Sequence, residues 1–313
     1  MEALLFSVNT IFPLLMLMAA GFGARRLHWL ERNTARQITQ CVFRLFLPLQ
    51  LCFFVMDTDR HLPVDGWTLL FGFVGMMAVY GLLFLLVPIL CKRREAWGTL
   101  VQAIGYSNYG IFGIPLVLSM YPHSDVGVAA MMTLVAVPVT NAMSTLALIH
   151  FGSGDVRPWQ IIRKIIFNPL IVGTIMGLLL WWLEVTLPPL LDRPLRQLGS
   201  IATPVALFAL GASLDFGQGK GNIRLLVAGV FGRLVLIPLI GLSAAVILGI
   251  RDIALATMIA VLASPIGVST YAMAQQFGGD EDLAAAMVVF STAFSVFTIF
   301  LWVLLCSSLG FLR

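Results

Sequence analysis

Apolar residues run along this chain in long, nearly continuous blocks separated by short polar stretches. An α-helix needs about 20 apolar residues to cross the hydrocarbon of a bilayer. Ten blocks meet that length, at 3–24, 34–56, 66–91, 98–119, 126–150, 160–185, 190–214, 222–248, 252–275 and 282–308. The second and seventh are the weakest, because Arg44, Arg193 and Arg196 interrupt them. A membrane barrel would give short alternating segments instead. The pattern predicts an all-α integral membrane protein of ten transmembrane helices.

Composition sharpens that picture. Hydrophobic residues fill 59% of the 313 positions and charged ones 11%, so no soluble domain of any size can be cut from the chain. Lysine and arginine in short loops set orientation. Loops after odd-numbered spans hold Arg25, Arg26, Arg32, Arg36, Lys92, Arg93, Arg94, Arg157, Arg163, Lys164, Lys220 and Arg224, against Arg60, Arg193, Arg196, Arg251 and Arg313 on the other side. The odd loops are expected in the cytoplasm of a plasma (inner) membrane protein, with both termini outside. The first span is read as retained, since Glu2 precedes it and its positive charges follow it, the reverse of a secretory signal. The formal charge of +4 is explained by these loop cations beside anionic lipid and calls for no nucleic acid. Cys41, Cys52, Cys91 and Cys306 have no disulfide or metal spacing, and the four histidines form no ligand pair. No metal or other cofactor is expected, and no set of residues for intramembrane hydrolysis stands out, so the chain is read as a non-enzyme. A homodimer is allowed but not required.

The ten spans divide at Gly152-Ser-Gly-Asp-Val-Arg-Pro158 into halves 1–151 and 159–313. Five spans per half force the second half to enter from the opposite side, giving an inverted repeat. Two interruptions fall in corresponding spans: Asn108-Tyr-Gly-Ile-Phe-Gly-Ile-Pro115 in the fourth and Ser264-Pro-Ile-Gly-Val-Ser-Thr270 in the ninth. Such paired breaks point to a carrier's binding site. Proline lacks an N–H and clashes with the preceding turn, so Pro115 and Pro265 are expected to open the helix and start a new half-helix. Open backbone at membrane depth must be buried in protein or line a wet cavity. The positive end of each half-helix then faces that cavity, which suits a small organic anion.

Candidate binding residues are Asn108, Tyr109, Gly113 and Pro115 in the fourth span, with Ser264, Pro265, Gly267, Ser269 and Thr270 in the ninth. For Gly105, Gly110 and Gly113, which fall three to five residues apart, close helix packing is the stronger reading. Arg233 and Arg44 lie within spans and are candidates for counter-charge, with snorkelling to the interface as the competing explanation. No Asp or Glu falls near the centre of a span. That weakens a cation/proton antiporter, which needs a midplane carboxylate, while a sodium-coupled symporter and a non-transporting receptor stay open.

The string Asn108…Gly113-Ile-Pro-Leu116…Met120-Tyr121, then Val137-Pro-Val-Thr-Asn-Ala-Met143, resembles the auxin efflux carrier family. Ser264-Pro-Ile-Gly-Val-Ser-Thr-Tyr-Ala-Met-Ala-Gln-Gln-Phe277, Asn168-Pro169 and Arg233…Pro238 extend the likeness across the chain. The resemblance implies the fold of bile-acid:sodium symporters, a scaffold of spans 1, 2, 6 and 7, and a transport domain of spans 3–5 and 8–10. It also implies an elevator-type movement and broken, crossing fourth and ninth spans with substrate beside the crossing. Asn108 and Pro115 match the family's helix-4 amide and crossover proline. In the ninth span the plant members' proline aligns with Thr270, which would move the break about one turn. The long cytoplasmic loop of some plant members is missing, so the likeness is to the compact prokaryotic type, associated with malate, malonate and similar carboxylates; auxin itself is not implied, and an auxin-like acid stays a candidate cargo.

Overall fold

A computed structural model describes residues 2–57, 65–109, 116–117, 120–121, 127–152, 163, 166–213 and 223–312. Every regular element among them is helical: α1 (Glu2–Arg26), α2 (Arg32–Met56), α3 (Gly66–Leu90), α4 (Trp97–Gly105), α5 (Gly127–Phe151), α6 (Pro169–Trp182), α7 (Pro189–Ser213), α8 (Ile223–Ile247), α9 (Asp252–Ala263), α10 (Ser269–Phe277) and α11 (Glu281–Ser308). Six of them, α2, α3, α5, α7, α8 and α11, are long and apolar enough to cross a membrane, and α6 and α9 are shorter apolar helices.

Local chemistry accounts for the ends. Asp65, Asn168 and Asp280 each accept a backbone N–H in the first turn of α3, α6 and α11, satisfying one of the donors that a helix start leaves unpaired. Asn168 with Pro169 starts α6 inside the block expected at 160–185, because proline is favoured at the first helical position and disfavours helix before it. Gly278, at φ 78°, ends α10 in the left-handed conformation that a side chain resists.

The burial pattern is that of a membrane protein. Aliphatic residues such as Ile89, Leu90, Leu190 and Ile247 are among the most exposed. The deepest part is α9, where every residue from Leu255 to Ala263 is buried, together with α4 and α10.

Two crossings are so close that only glycine fits. In the α1–α7 crossing, a Cβ on Gly21 would strike the Phe208 carbonyl and one on Gly211 the Met18 carbonyl. In the α2–α6 crossing, Gly173 and Gly177 stand in the same relation to the carbonyls of Pro48 and Cys52. Small residues let backbones meet in this way where lipid supplies no hydrophobic drive between helices. In the span numbering expected from the sequence, the first crossing joins spans 1 and 7 and the second spans 2 and 6.

Both α2 and α8 contain a five-residue π-helical turn, Val42–Phe46 and Gly232–Leu236. Each ends two residues before a proline, Pro48 or Pro238. A proline ring forces the carbonyls of the preceding turn apart, and a wider turn is one way to absorb that.

Ion pairs join the loops expected on one face: Arg32 with Asp282 at 2.7 Å, Arg36 with Glu281 at 2.9 Å and Arg93 with Asp280 at 3.3 Å. On the other face Arg196 pairs with Asp57 at 2.6 Å and with Asp192 at 2.8 Å.

Candidate functional site: the crossing of two interrupted helices

The fourth span stops being helical at Gly105; the stretch directly before Pro115 lies outside the described residues. Gly105 gives way to the Tyr80 ring, which would lie 2.5 Å from an added Cβ. The ninth span opens at 264–268, around Pro265, and resumes at Ser269. The break therefore stays at the proline, without the one-turn displacement that the Thr270 alignment suggests.

The two openings are bonded to each other. Ser107 and Ile266 form an antiparallel bridge, in which the Asn108 N–H donates to the Pro265 carbonyl at 3.0 Å and the Gly267 N–H to the Tyr106 carbonyl at 3.2 Å. The Ile266 N–H donates to Ser291 Oγ of α11 at 3.1 Å. These bonds answer the demand of a hydrocarbon surround, where each unpaired backbone group costs several kcal/mol.

Behind the bridge lies Arg233, only 2% exposed. Its Nε donates to the Ser264 carbonyl at 2.8 Å, Nη2 to Val261 at 2.9 Å and Nη1 to Ile104 at 3.4 Å. Ser107 Oγ shares the Val261 carbonyl at 2.6 Å. All three guanidinium nitrogens thus close the carbonyl ends of α4 and α9. Arg44 is exposed and lines a separate cavity of about 610 Å³ with Arg163, Asn168 and Gln276.

In front of the bridge a cavity of about 80 Å³ lies between the crossing and helices α2, α5 and α7. Tyr106, Ser107, Asn108 and Tyr109 line it from the fourth span, and Val268 and Ser269 from the ninth. Leu47, Gln50, Leu51, Phe54 and Thr203 face it from α2 and α7. The Asn108 side chain is buried and its Nδ2 has no hydrogen-bond partner. A buried amide nitrogen in that state is a donor awaiting an acceptor. Ser269 stands in the first turn of α10, whose positive end it brings to the cavity.

Of the sequence candidates, Asn108, Tyr109 and Ser269 meet at this cavity. The Tyr109 hydroxyl is tied to the Ala129 carbonyl. Ser264 turns its hydroxyl to the Ala260 carbonyl, and Pro265 contributes its carbonyl to the bridge. Gly267 lies beneath the Tyr106 ring, where a Cβ would collide. Thr270 is fully buried behind the break, with its hydroxyl unpartnered. Gly113 and Pro115 lie outside the described residues.

Sequence reading missed Gln50 and Thr203. Gln50 Nε2 donates to Thr203 Oγ1 at 2.9 Å, and that hydroxyl donates back to Gln50 Oε1 at 3.1 Å. The signal was available: Gln50 stands two residues after Pro48 and Thr203 directly before Pro204, each a polar residue in an apolar stretch near a mid-span proline. Tyr106 was missed too; its hydroxyl donates to Asn141 Oδ1 at 3.1 Å and fixes the wall between crossing and α5.

A bundle of apolar helices that buries two unwound segments against each other, beside a small polar-lined cavity, is built as a membrane carrier. Comparison with known proteins agrees. The sequence matches the membrane transport protein family over residues 6–159 and again over 156–303, and the chain belongs to that family, the auxin efflux carrier family. It is 26% identical over 240 residues to an uncharacterized transporter of Methanocaldococcus jannaschii, covering 74% of each chain. It is also 26% identical over 277 residues to a Rhizobium meliloti protein named "Putative malonate transporter", covering 82% of this chain and 83% of that one.

Proposed function

We propose that this multi-pass membrane protein is a secondary active carrier of a small organic anion, a carboxylate of the size of malonate or malate, with its binding site in the cavity before the crossing. The observation that carries this reading is the buried, unpartnered Nδ2 of Asn108 on the cavity wall. Asn108 Nδ2, Ser269 Oγ and the positive end of α10 supply donors and partial positive charge for a carboxylate. The cavity, about 80 Å³, is several times the ~10–15 Å³ that one water requires, which favours an acid of few heavy atoms over auxin. The name of the Rhizobium meliloti relative points the same way.

Ten spans in two inverted halves, 1–151 and 159–313, with both termini outside an inner membrane, complete the reading. The antiparallel bridge and the two glycine crossings related by five spans support it. Spans 1, 2, 6 and 7 form the scaffold, and the remaining spans carry the crossing past Gln50 and Thr203 in an elevator movement. Arg233 belongs to the helix ends and not to the cargo, because its donors are directed at carbonyls. Ser264, Pro265, Gly267 and Thr270 shape the break, while Asn108, Tyr109 and Ser269 face the anion.

Uptake of radiolabelled malonate, malate and other small acids into proteoliposomes tests the proposal. Saturable uptake of one acid by the wild type, strongly reduced at low concentration in Asn108→Ala and weakened in Gln50→Ala, is the expected result. Equal uptake by all three proteins would place the cargo elsewhere.

A further inference from the structure

We propose that Arg233 is a resident cation, occupying with covalently held charge the carbonyl-lined position in which a carrier of this build would otherwise hold a coupling metal ion, so that the chain needs no sodium. Its functional meaning rests on the carrier reading; its geometry does not.

Three backbone carbonyls, Ile104, Val261 and Ser264, converge on one point from the ends of two helices. Unwound carbonyls and half-helix C-termini are the ligands that secondary carriers offer to sodium. Each helix C-terminus carries a partial charge of roughly −0.5. Two such ends add to about one negative charge, which a single guanidinium balances, and arginine keeps its proton in any protein environment. No carboxylate among the described residues pairs with Arg233, so the helix ends are its counter-charge. A metal ion added here would be a second positive charge in a low-dielectric, already neutral site.

Space argues likewise. Beside the guanidinium is a void of only about 10 Å³, bordered by Met76, Val79, Gly105 and Ser107. That is about the room of one water and too little for an ion with its hydration shell. Removing the guanidinium would enlarge the void and leave the carbonyls bare, the condition for a free cation to enter.

The test uses the purified full chain and two probes, the sodium ion and the guanidinium ion. Wild type is expected to bind no ²²Na⁺ and to keep the same Tm in sodium and choline buffers. Arg233→Gln, of similar length without charge, is expected to lose roughly 5–10 °C and to recover part of it in sodium or millimolar guanidinium, but not in choline. Arg233→Lys, which keeps the charge, should fold and stay indifferent to sodium even if the Gln variant cannot be purified. Saturable ²²Na⁺ binding by wild type overturns the proposal, as does sodium-dependent stability in Arg233→Lys or a Gln variant that responds equally to every cation. None of these readouts involves cargo, so a wild type that moves no organic acid would remove the carrier reading and leave them intact.

Discussion

Helices α2 and α8 each place an arginine in a five-residue π-turn ending two residues before a proline, yet Arg44 is exposed and Arg233 is 2% exposed. The difference begins with one residue of register: Arg44 stands four positions before Pro48, and Arg233 five before Pro238. One residue is roughly a quarter-turn of helix. It is completed by the neighbours. Arg233 meets the carbonyl ends of α4 and α9, whereas Arg44 faces an open cavity near Arg163 and Gln276. The same local feature, an arginine in a π-turn before a proline, thus gives a buried structural cation in one place and an exposed one in the other. Intramembrane charge alone does not identify a binding group; what converges on it does.

Replacing each arginine by alanine should separate the two most strongly. Hydrogen bonds to a charged group contribute about 1.5–3 kcal/mol each, so Arg233→Ala should cost at least ~3 kcal/mol in thermal or denaturant unfolding, with Arg44→Ala within about 0.5 kcal/mol of wild type. Equal losses would break the comparison. A register swap sharpens it: Arg233→Leu with Leu234→Arg copies the spacing of α2 into α8. That double variant should be no more stable than Arg233→Leu alone, because the moved guanidinium turns away from Ile104, Val261 and Ser264.

Asn108→Ala probes the opposite side of the crossing. Its Nδ2 has no partner to lose, so unfolding should stay near that of wild type while affinity for the transported acid falls about 10- to 100-fold, the worth of one hydrogen bond to a charged ligand. Arg44→Ala should lower initial uptake only a few-fold at low ionic strength, and not at all at high salt, as expected of a cation that steers anions from an open cavity. The smallest effect belongs to Arg36 and Glu281, an exposed pair for which a double-mutant cycle should return below ~1 kcal/mol.

Most of the fold was legible, because uninterrupted apolar blocks of membrane length leave few alternatives to helix; α1, α2, α3, α5, α7, α8 and α11 lie within two residues of their expected bounds. Proline marked the opening at Pro265 well, while the opening that the structure describes in the fourth span begins without one. There the helix yields at Gly105, where a tyrosine from α3 occupies the space of a side chain, a tertiary cause that local sequence does not carry. The cavity was half legible. Asn108 and Ser269 stood inside recognised breaks, but Gln50 and Thr203 act from α2 and α7, and only the packing of those helices against the crossing brings them in. Arg233 was visible as a charge within a span, and its partners are carbonyls, which every sequence has and no sequence displays.

Whether Asn108 holds the cargo's carboxylate at the crossing can be read from thermal unfolding of purified wild type and Asn108→Ala across a panel of small mono- and dicarboxylic acids. A ligand that binds only the folded state raises the midpoint with concentration. One acid is expected to stabilise wild type in a saturable way and to need about 10- to 100-fold more for the same shift in Asn108→Ala, with both proteins unfolding at similar temperature in its absence. The same stabilisation in both proteins at every concentration would contradict that role of Asn108.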